Sequence, residues 1–441
     1  MNSWLRRLGR FKRWLAVLTL LTVVMVVSGC QTLSFYAQAI KGQYELVAHQ
    51  QSIPKLIASP QTPNKLKQRL ELFQQLRQFA AQRLKLPVDG DYEKYVDVHR
   101  PFVVWNVEAA PRFSMQPKTW WYPLVGSLEY RGYFSKQSAL NYAGTLRKRN
   151  WDVFVGGVPA YSTLGWFKDP VLSTFIFESE PDLAETLFHE LAHRRVFARG
   201  DTDFNEAYAT TVGEEGAQRW LRATHRTALL AQYLAELHRN DQFVDLVQST
   251  RLQLEGLYGD ERTANGKIKA TSKMSHVRRA RLLEGKEQIL ARMRAQYAEL
   301  KTQWGGNADY DDWFAKKLNN AKLNSVAAYY DLVPAFQRLL ALNGGDMEKF
   351  YNAVERLAKM PRKQRHQWLR DLEPRKEPVA QVKAPAQHST AAIYPPQRTA
   401  PAGTLRWNKQ PGASPRAPNL KKTAGRTEFG RHLSLLTATS G

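Results

Sequence analysis

The sequence predicts an α+β protein in which a small mixed sheet in the N-terminal half leads into a motif-bearing helix and a mostly helical C-terminal half. Three observations predict it. Short aromatic and β-branched runs bounded by Pro and Gly occur only before residue 180. After residue 180, apolar residues recur at 3.6-residue spacing, with Gly or Asn-Gly breaks between segments. The composition, 43% hydrophobic and 24% charged, excludes wholesale disorder, collagen and coiled-coil rods. The boundaries expected are 1–29, 30–180, 181–360 and a basic, Pro-rich tail over 361–441.

Residues 1–30 carry Arg6, Arg7, Arg10, Lys12 and Arg13, then the uncharged run Leu15 to Val27, then Ser28-Gly29-Cys30. A basic stretch, an apolar stretch and small residues before a cut site describe a secretory signal peptide. The run falls short of the about 20 residues of a membrane-spanning helix. Cys30 is the sole cysteine, so there is neither an internal disulfide framework nor a Cys-based zinc module. Its place after Ser-Gly resembles the bacterial lipobox. That resemblance implies a diacylated, membrane-anchored N-terminus at Cys30. By analogy with sorting in Gram-negative bacteria, Gln31 favours the periplasmic face of the outer membrane.

The net charge of +24 is concentrated at the two ends. Residues 1–30 supply five positive charges, and residues 374–441 hold eleven Lys or Arg against Glu377 and Glu428, with nine prolines. Such a tail cannot bury enough surface to fold and would touch anionic lipid or cell-wall polymers. An exported chain disfavours nucleic acid as the partner.

Along the body, helices are expected over 35–48 and 63–85, where Leu66, Leu70, Phe73, Leu76, Phe79 and Ala80 share a face, with Pro87 and Asp89-Gly90 as the stop. Strands are expected over 102–107, 120–125, 152–158 and 171–177, with a helix capped by Ser135 between the second and third. Helices follow over 182–198, 204–222, 226–257, 262–304, 311–343 and 346–359. The 262–301 stretch carries eleven Lys or Arg against three Glu, a solvated face or one turned toward an anionic membrane.

The chemistry stands in the first of these late helices, as Phe188-His189-Glu190-Leu191-Ala192-His193. Histidines four apart lie on one helical face about one turn from each other, so both imidazoles can reach one divalent ion. Glu190, about 100° further round, would flank that ion and take a proton from a water on it. Pro181, Asp182 and Glu185 suit the start of the helix, Arg194, Arg195 and Arg199 its end, and Gly200 its termination. A catalytic zinc site usually has three protein ligands. After the Gly200-Asp201-Thr202-Asp203 turn, with Asp203 as N-cap, Glu206 is the expected third; Glu214 and Glu215 are the alternatives. The competing reading makes His189 and His193 a polar face packed on the sheet.

The pairing of His189-Glu190-x-x-His193 with Asn205-Glu206-Ala207-Tyr208-Ala209 resembles the gluzincin metallopeptidases, such as thermolysin and the aminopeptidase N family. It implies a zincin-like fold holding Zn2+ and acting on a peptide or protein substrate. Twelve residues separate His193 from Glu206, fewer than in those families. The chain is more similar to the bacterial lipoprotein family of predicted aminopeptidases. Residues 126–134, 160–170, the His189–His193 segment, 201–206, 319–321 and 329–331 carry that likeness.

Further site residues are expected by position. Tyr329, Tyr330 or Tyr208 would stabilise an oxyanion. Gly156 and Gly157 would let an edge strand approach an extended substrate. Arg131 would clamp a carboxylate or sit in a buried ion pair. Glu129, Asp169 or Glu180 would hold a free amine. The alternatives to an aminopeptidase are a zinc endopeptidase and a lipid-anchored scaffold with a vestigial metal site.

Overall fold

A computed structural model describes residues 34–122, 126–160, 163, 168–259 and 275–372, all in one compact unit. The signal peptide, Cys30, residues 260–274 of the polycationic stretch and the tail from 373 lie outside the described residues.

The chain opens with helix α1 (34–48), strand β1 (Gln51–Ser52) and helices α2 (Ile53–Ala58) and α3 (Asn64–Arg83). Strands β2 (Lys94–Val96), β3 (Val104–Pro111), β4 (Trp120–Tyr122), β5 (Gly126–Leu128) and β6 (Tyr130–Tyr133) follow, then α4 (Lys136–Lys148), β7 (Trp151–Val158) and β8 (Val171–Leu172). From there the described chain is helical: α5 (Glu180–Arg195), α6 (Thr202–Ala223), α7 (Thr227–Tyr258), α8 (His276–Gln303), α9 (Asp311–Ala315), α10 (Asn320–Tyr330), α11 (Val333–Leu342), α12 (Met347–Ala358) and α13 (Arg362–Leu372).

The α+β class and the helical second half are as expected. The strands form three small groups among the described residues: a mixed β1-β2-β8 sheet, an antiparallel β6-β3-β7 sheet and a β4-β5 hairpin. β3 organises the second sheet by its period of two. Trp105, Val107 and Ala109 face a core shared with Phe35, Ala139, Ala143 and Leu146 of α1 and α4. Val104 and Ala110 face the main core, which runs from Leu46 to Leu369 across both halves of the chain. Ser135 caps α4 as expected, accepting from Ser138 N.

Three expectations are corrected. The strand over 171–177 shortens to β8, because Phe175 and Ile176 both donate their backbone N–H to the Leu172 carbonyl, closing a turn. Both side chains are buried, so burial imitated a strand. The helix over 311–343 is three helices: the Asn319 side chain caps α10 from Lys322 N, and Pro334 starts α11. Helix α13 lies beyond the boundary at 360 and buries Arg365 and Leu369.

Candidate active site

Helix α5 is buried on every side from Leu183 to His193, the signature of a central helix. Pro181 occupies the first turn, as the sequence reading expects, and Ser179, which that reading did not single out, caps the helix by accepting from Asp182 N. The helix stops at Arg195, where Val196 turns extended, and Gly200 at φ 75° reverses the chain into α6. Asp201, not Asp203, stands at the N-cap of α6. The Asn205 side chain clamps the connection, accepting from Ala198 N at 2.7 Å and donating to Ala198 O at 2.9 Å. That two-point grip explains the Asn before Glu206: it fixes the first turn of α6 beside the end of α5.

Two glycines set how closely α6 crosses α5. A Cβ on Gly213 would lie 2.9 Å from the Glu185 carbonyl, and one on Gly216 would lie 2.5 Å from the Phe188 ring. Gly213→Val should therefore lower stability by about 1–3 kcal/mol by overpacking and weaken metal uptake, because the new side chain presses on Glu185 and on the His189 Cβ, 3.4 Å from the added Cβ. Denaturant unfolding with zinc titration checks this, and unchanged zinc affinity would separate the crossing distance from the metal site.

This close crossing produces the cluster. The His189 and His193 Nε2 atoms lie 3.1 Å apart, and a Glu206 carboxylate oxygen lies 3.3 Å from the first and 3.6 Å from the second. Two nitrogens on a tetrahedral zinc, each bonded at 2.0–2.1 Å, would be about 3.3 Å apart. The three groups fit one small divalent ion. Burial pushes the Glu206 carboxyl up, but His193 and His189 outweigh it and hold the group below the usual carboxylate range. Burial would lower His193, yet Glu206 raises it. The alternatives for the third ligand are engaged elsewhere: Gln337 approaches Glu214, and Arg219 pairs with Glu215 at 2.7 Å.

Glu190 stays out of this triangle while facing it. Burial raises it to about 8; His193 opposes the shift, and Glu206 and Asp169 add to it. Tyr329 of α10 stacks on His189 with ring centroids 6.4 Å apart. Burial and then Glu206 push its hydroxyl well up, with Tyr130, Glu108 and Glu190 contributing. Tyr130 of β6 is raised by burial, then by Glu206, Tyr122 and Glu190. Tyr330 and Tyr208 belong to the main core, Tyr208 against Phe336, Phe350 and Tyr351.

Beside the cluster lies a cavity lined in part by Glu108, Glu129, Tyr130, Thr202, Asn324 and Tyr329. Burial and then Glu129 raise Glu108 well above its ordinary value. Burial raises Glu129 to about 7, with Asp203 adding and Arg362, 3.5 Å away, opposing. Glu108 escaped the sequence reading; an acid alone in the apolar run Val104–Pro111 was the available signal.

Other expected residues sit elsewhere. Arg131 lies over the Phe35 and Tyr142 rings, on the face of β6 opposite Tyr130, where no carboxylate clamp forms. Gly157 makes room for Phe102, whose ring would lie 2.3 Å from a Cβ, and neither Gly156 nor Gly157 lines the cavity. β7 is nonetheless an edge strand, as expected. Glu180 accepts from Trp220 at 3.0 Å. Asp169 accepts from the Thr163 N–H at 2.9 Å and hydroxyl at 2.7 Å. A second cluster of metal-ligating types, Asp201, Asp203 and His366, is an ion-pair network: Arg362 and Arg365 sit on Asp201 at 3.3 and 3.0 Å, tying α13 to the start of α6.

Residues 34–369 match the family described as "Putative aminopeptidase". The chain belongs to that family. The match spans the sheets, α5, α6 and the cavity, so membership covers every residue of the cluster. Family membership carries the coarse reading of a peptidase acting on peptide substrates. No curated protein matches the chain, and no solved structure does.

Proposed function

We propose that this chain is a zinc-dependent aminopeptidase of gluzincin type, anchored on the cell envelope through Cys30. The observation that carries the reading is the cavity holding Glu108 and Glu129 beside the His189–His193–Glu206 triangle. Both carboxylates are half-buried; desolvation and Glu129 disfavour the charge of Glu108, and desolvation and Asp203 disfavour that of Glu129 against the opposing Arg362. A substrate ammonium placed between them would relieve that repulsion and the burial cost together.

His189, His193 and Glu206 would hold the zinc. Zinc bound there supplies Lewis-acid polarisation of the scissile carbonyl and an acidified water. Glu190 accepts the proton of the attacking water on its carboxylate and passes it to the leaving nitrogen. Glu190 faces the triangle without belonging to it, which suits it to this task, and a cation held by His189, His193 and Glu206 would favour the ionised carboxylate that burial disfavours. Tyr329 and Tyr130 flank the cluster, and both hydroxyls remain protonated at neutral pH. They are the donors placed to stabilise the developing oxyanion.

The anchoring part rests on the lipobox-like Ser28-Gly29-Cys30. No helix among the described residues is long and apolar enough to cross a membrane.

A peptide and its N-acetylated twin test the aminopeptidase reading. The free peptide should be hydrolysed much faster, and Glu108→Gln with Glu129→Gln should erase most of that preference through KM. The preference should also grow as pH rises through about 7, where Glu129 ionises. It should decline once the substrate amine loses its proton at about 8. Equal rates for the twins would reject the aminopeptidase assignment and leave an endopeptidase.

A further inference from the structure

The outward face of α1 is apolar where a surface helix should be polar. Tyr36 is 39% exposed, Ile40 70%, Tyr44 71% and Val47 44%. At about 100° per residue these four fall within about 80° of the helix circumference. The opposite side is docked. Phe35 stacks edge-on against Tyr133 at 5.3 Å and beneath the Arg131 guanidinium at 4.1 Å. A Cβ at Gly42 would collide with the Phe134 ring, and the Gln38 side chain accepts from Phe134 N at 2.9 Å. Lys41 and Glu45 lie between the two faces and pair with each other at 3.9 Å. The helix is therefore held to the body by one face and presents a separate hydrophobic one outward.

We propose that this outward stripe of α1 lies on the surface of an anionic phospholipid bilayer. Three features favour a bilayer over other occupants. The stripe's large residues are two tyrosines and two aliphatics, the mixture that partitions at a membrane interface, where a ring can be buried and a hydroxyl hydrated. The chain preceding α1 is 33 residues long, and its uncharged run Leu15 to Val27 ends only nine residues before Tyr36, so whatever apolar phase receives that end is at hand for the stripe. The eleven Lys or Arg of residues 374–441, against two Glu, draw the chain toward anionic lipid.

The geometry has a consequence for the active site. Arg131 and Tyr133 point from β6 toward α1, whereas Tyr130 points toward Glu206 and Glu190. With α1 on the bilayer, β6 stands between the lipid-facing helix and the side that carries Tyr130 and the cavity.

The test uses the full-length chain with Cys30→Ser, so that one introduced thiol is the sole reactive one. Ile40→Cys and, separately, Lys41→Cys are labelled with an environment-sensitive bimane. Each protein is mixed with phosphatidylglycerol–phosphatidylethanolamine vesicles bearing a nitroxide just below the headgroups. The label at 40 should shift to the blue and be quenched several-fold more than the label at 41, which lies off the stripe. Equal behaviour of the two labels on sedimented vesicles would overturn the proposal, as would no co-sedimentation. A label at 40 that is already blue-shifted without lipid would overturn it too. Dilution that reverses such a shift would identify a second copy of the chain as the occupant; insensitivity to dilution would identify another segment of the same chain. Tyr44→Asp with Ile40→Asp should weaken vesicle binding while hydrolysis of a soluble peptide stays unchanged.

Discussion

Glu190→Gln is expected to leave one zinc per chain in place and to slow peptide hydrolysis by about 10²–10⁴-fold, the range for loss of a positioned general base. The amide keeps the shape of the carboxyl group and its neighbours in α5, so the fold and the metal ligands are undisturbed. What disappears is the only group in the cluster able to accept a proton without being a ligand. Zinc content and kcat measured on the same preparation check this. Retained hydrolysis would remove Glu190 from the mechanism while leaving the metal site intact.

Glu206→Ala is expected to abolish stable metal binding. Mutation of an outer-shell partner typically costs about 10–100-fold in metal affinity, and removal of a direct ligand should cost more. Among the described residues, Glu206 supplies the carboxylate grouped with both imidazoles, at 3.3 and 3.6 Å. Its loss leaves two neutral nitrogens to hold a dication. Glu214→Ala and Glu215→Ala serve as controls, because those side chains meet Gln337 and Arg219. Competitive zinc titration with a chromophoric chelator separates the three variants. Tight binding by Glu206→Ala, with loss in either control, would reassign the third ligand.

These two outcomes and the N-acetyl comparison address different layers of the proposal. A zinc-binding chain that hydrolyses both twins equally keeps His189, His193, Glu206 and Glu190 in their roles and loses only the amine-holding role of Glu108 and Glu129. A chain that docks on vesicles through α1 yet hydrolyses nothing keeps the membrane surface and loses the enzyme. The α1 stripe and the cavity lie on opposite faces of β6, so each can be altered without touching the other.

What was legible in the sequence is what depends on neighbours a few residues away. The i, i+4 spacing of His189 and His193, Pro181 in the first turn, and the reversal at Gly200 are short-range events, and they occur where the residue types predict them. Glu206 was legible too, because one tight turn returns the chain directly beside the histidines. The failures have the same physical character. Phe175 and Ile176 are buried in a turn and looked like a strand, since an apolar run reports burial and not the hydrogen bonds that define a strand.

The sequence by itself thus determined the α+β order and the motif helix, and picked out the His189–His193–Glu206 cluster with Glu190 beside it. Tertiary structure alone decided which tyrosine reaches the cluster: Tyr329 points at His189, while Tyr330, one residue and about 100° further round α10, points into the core. It likewise placed Arg131 among rings, brought Glu108 of β3 beside Glu129, and turned an aromatic stripe of α1 outward. Each of these depends on which face of an element meets a partner distant in the chain. Spacing along one segment defines its faces, but only packing against the others chooses between them.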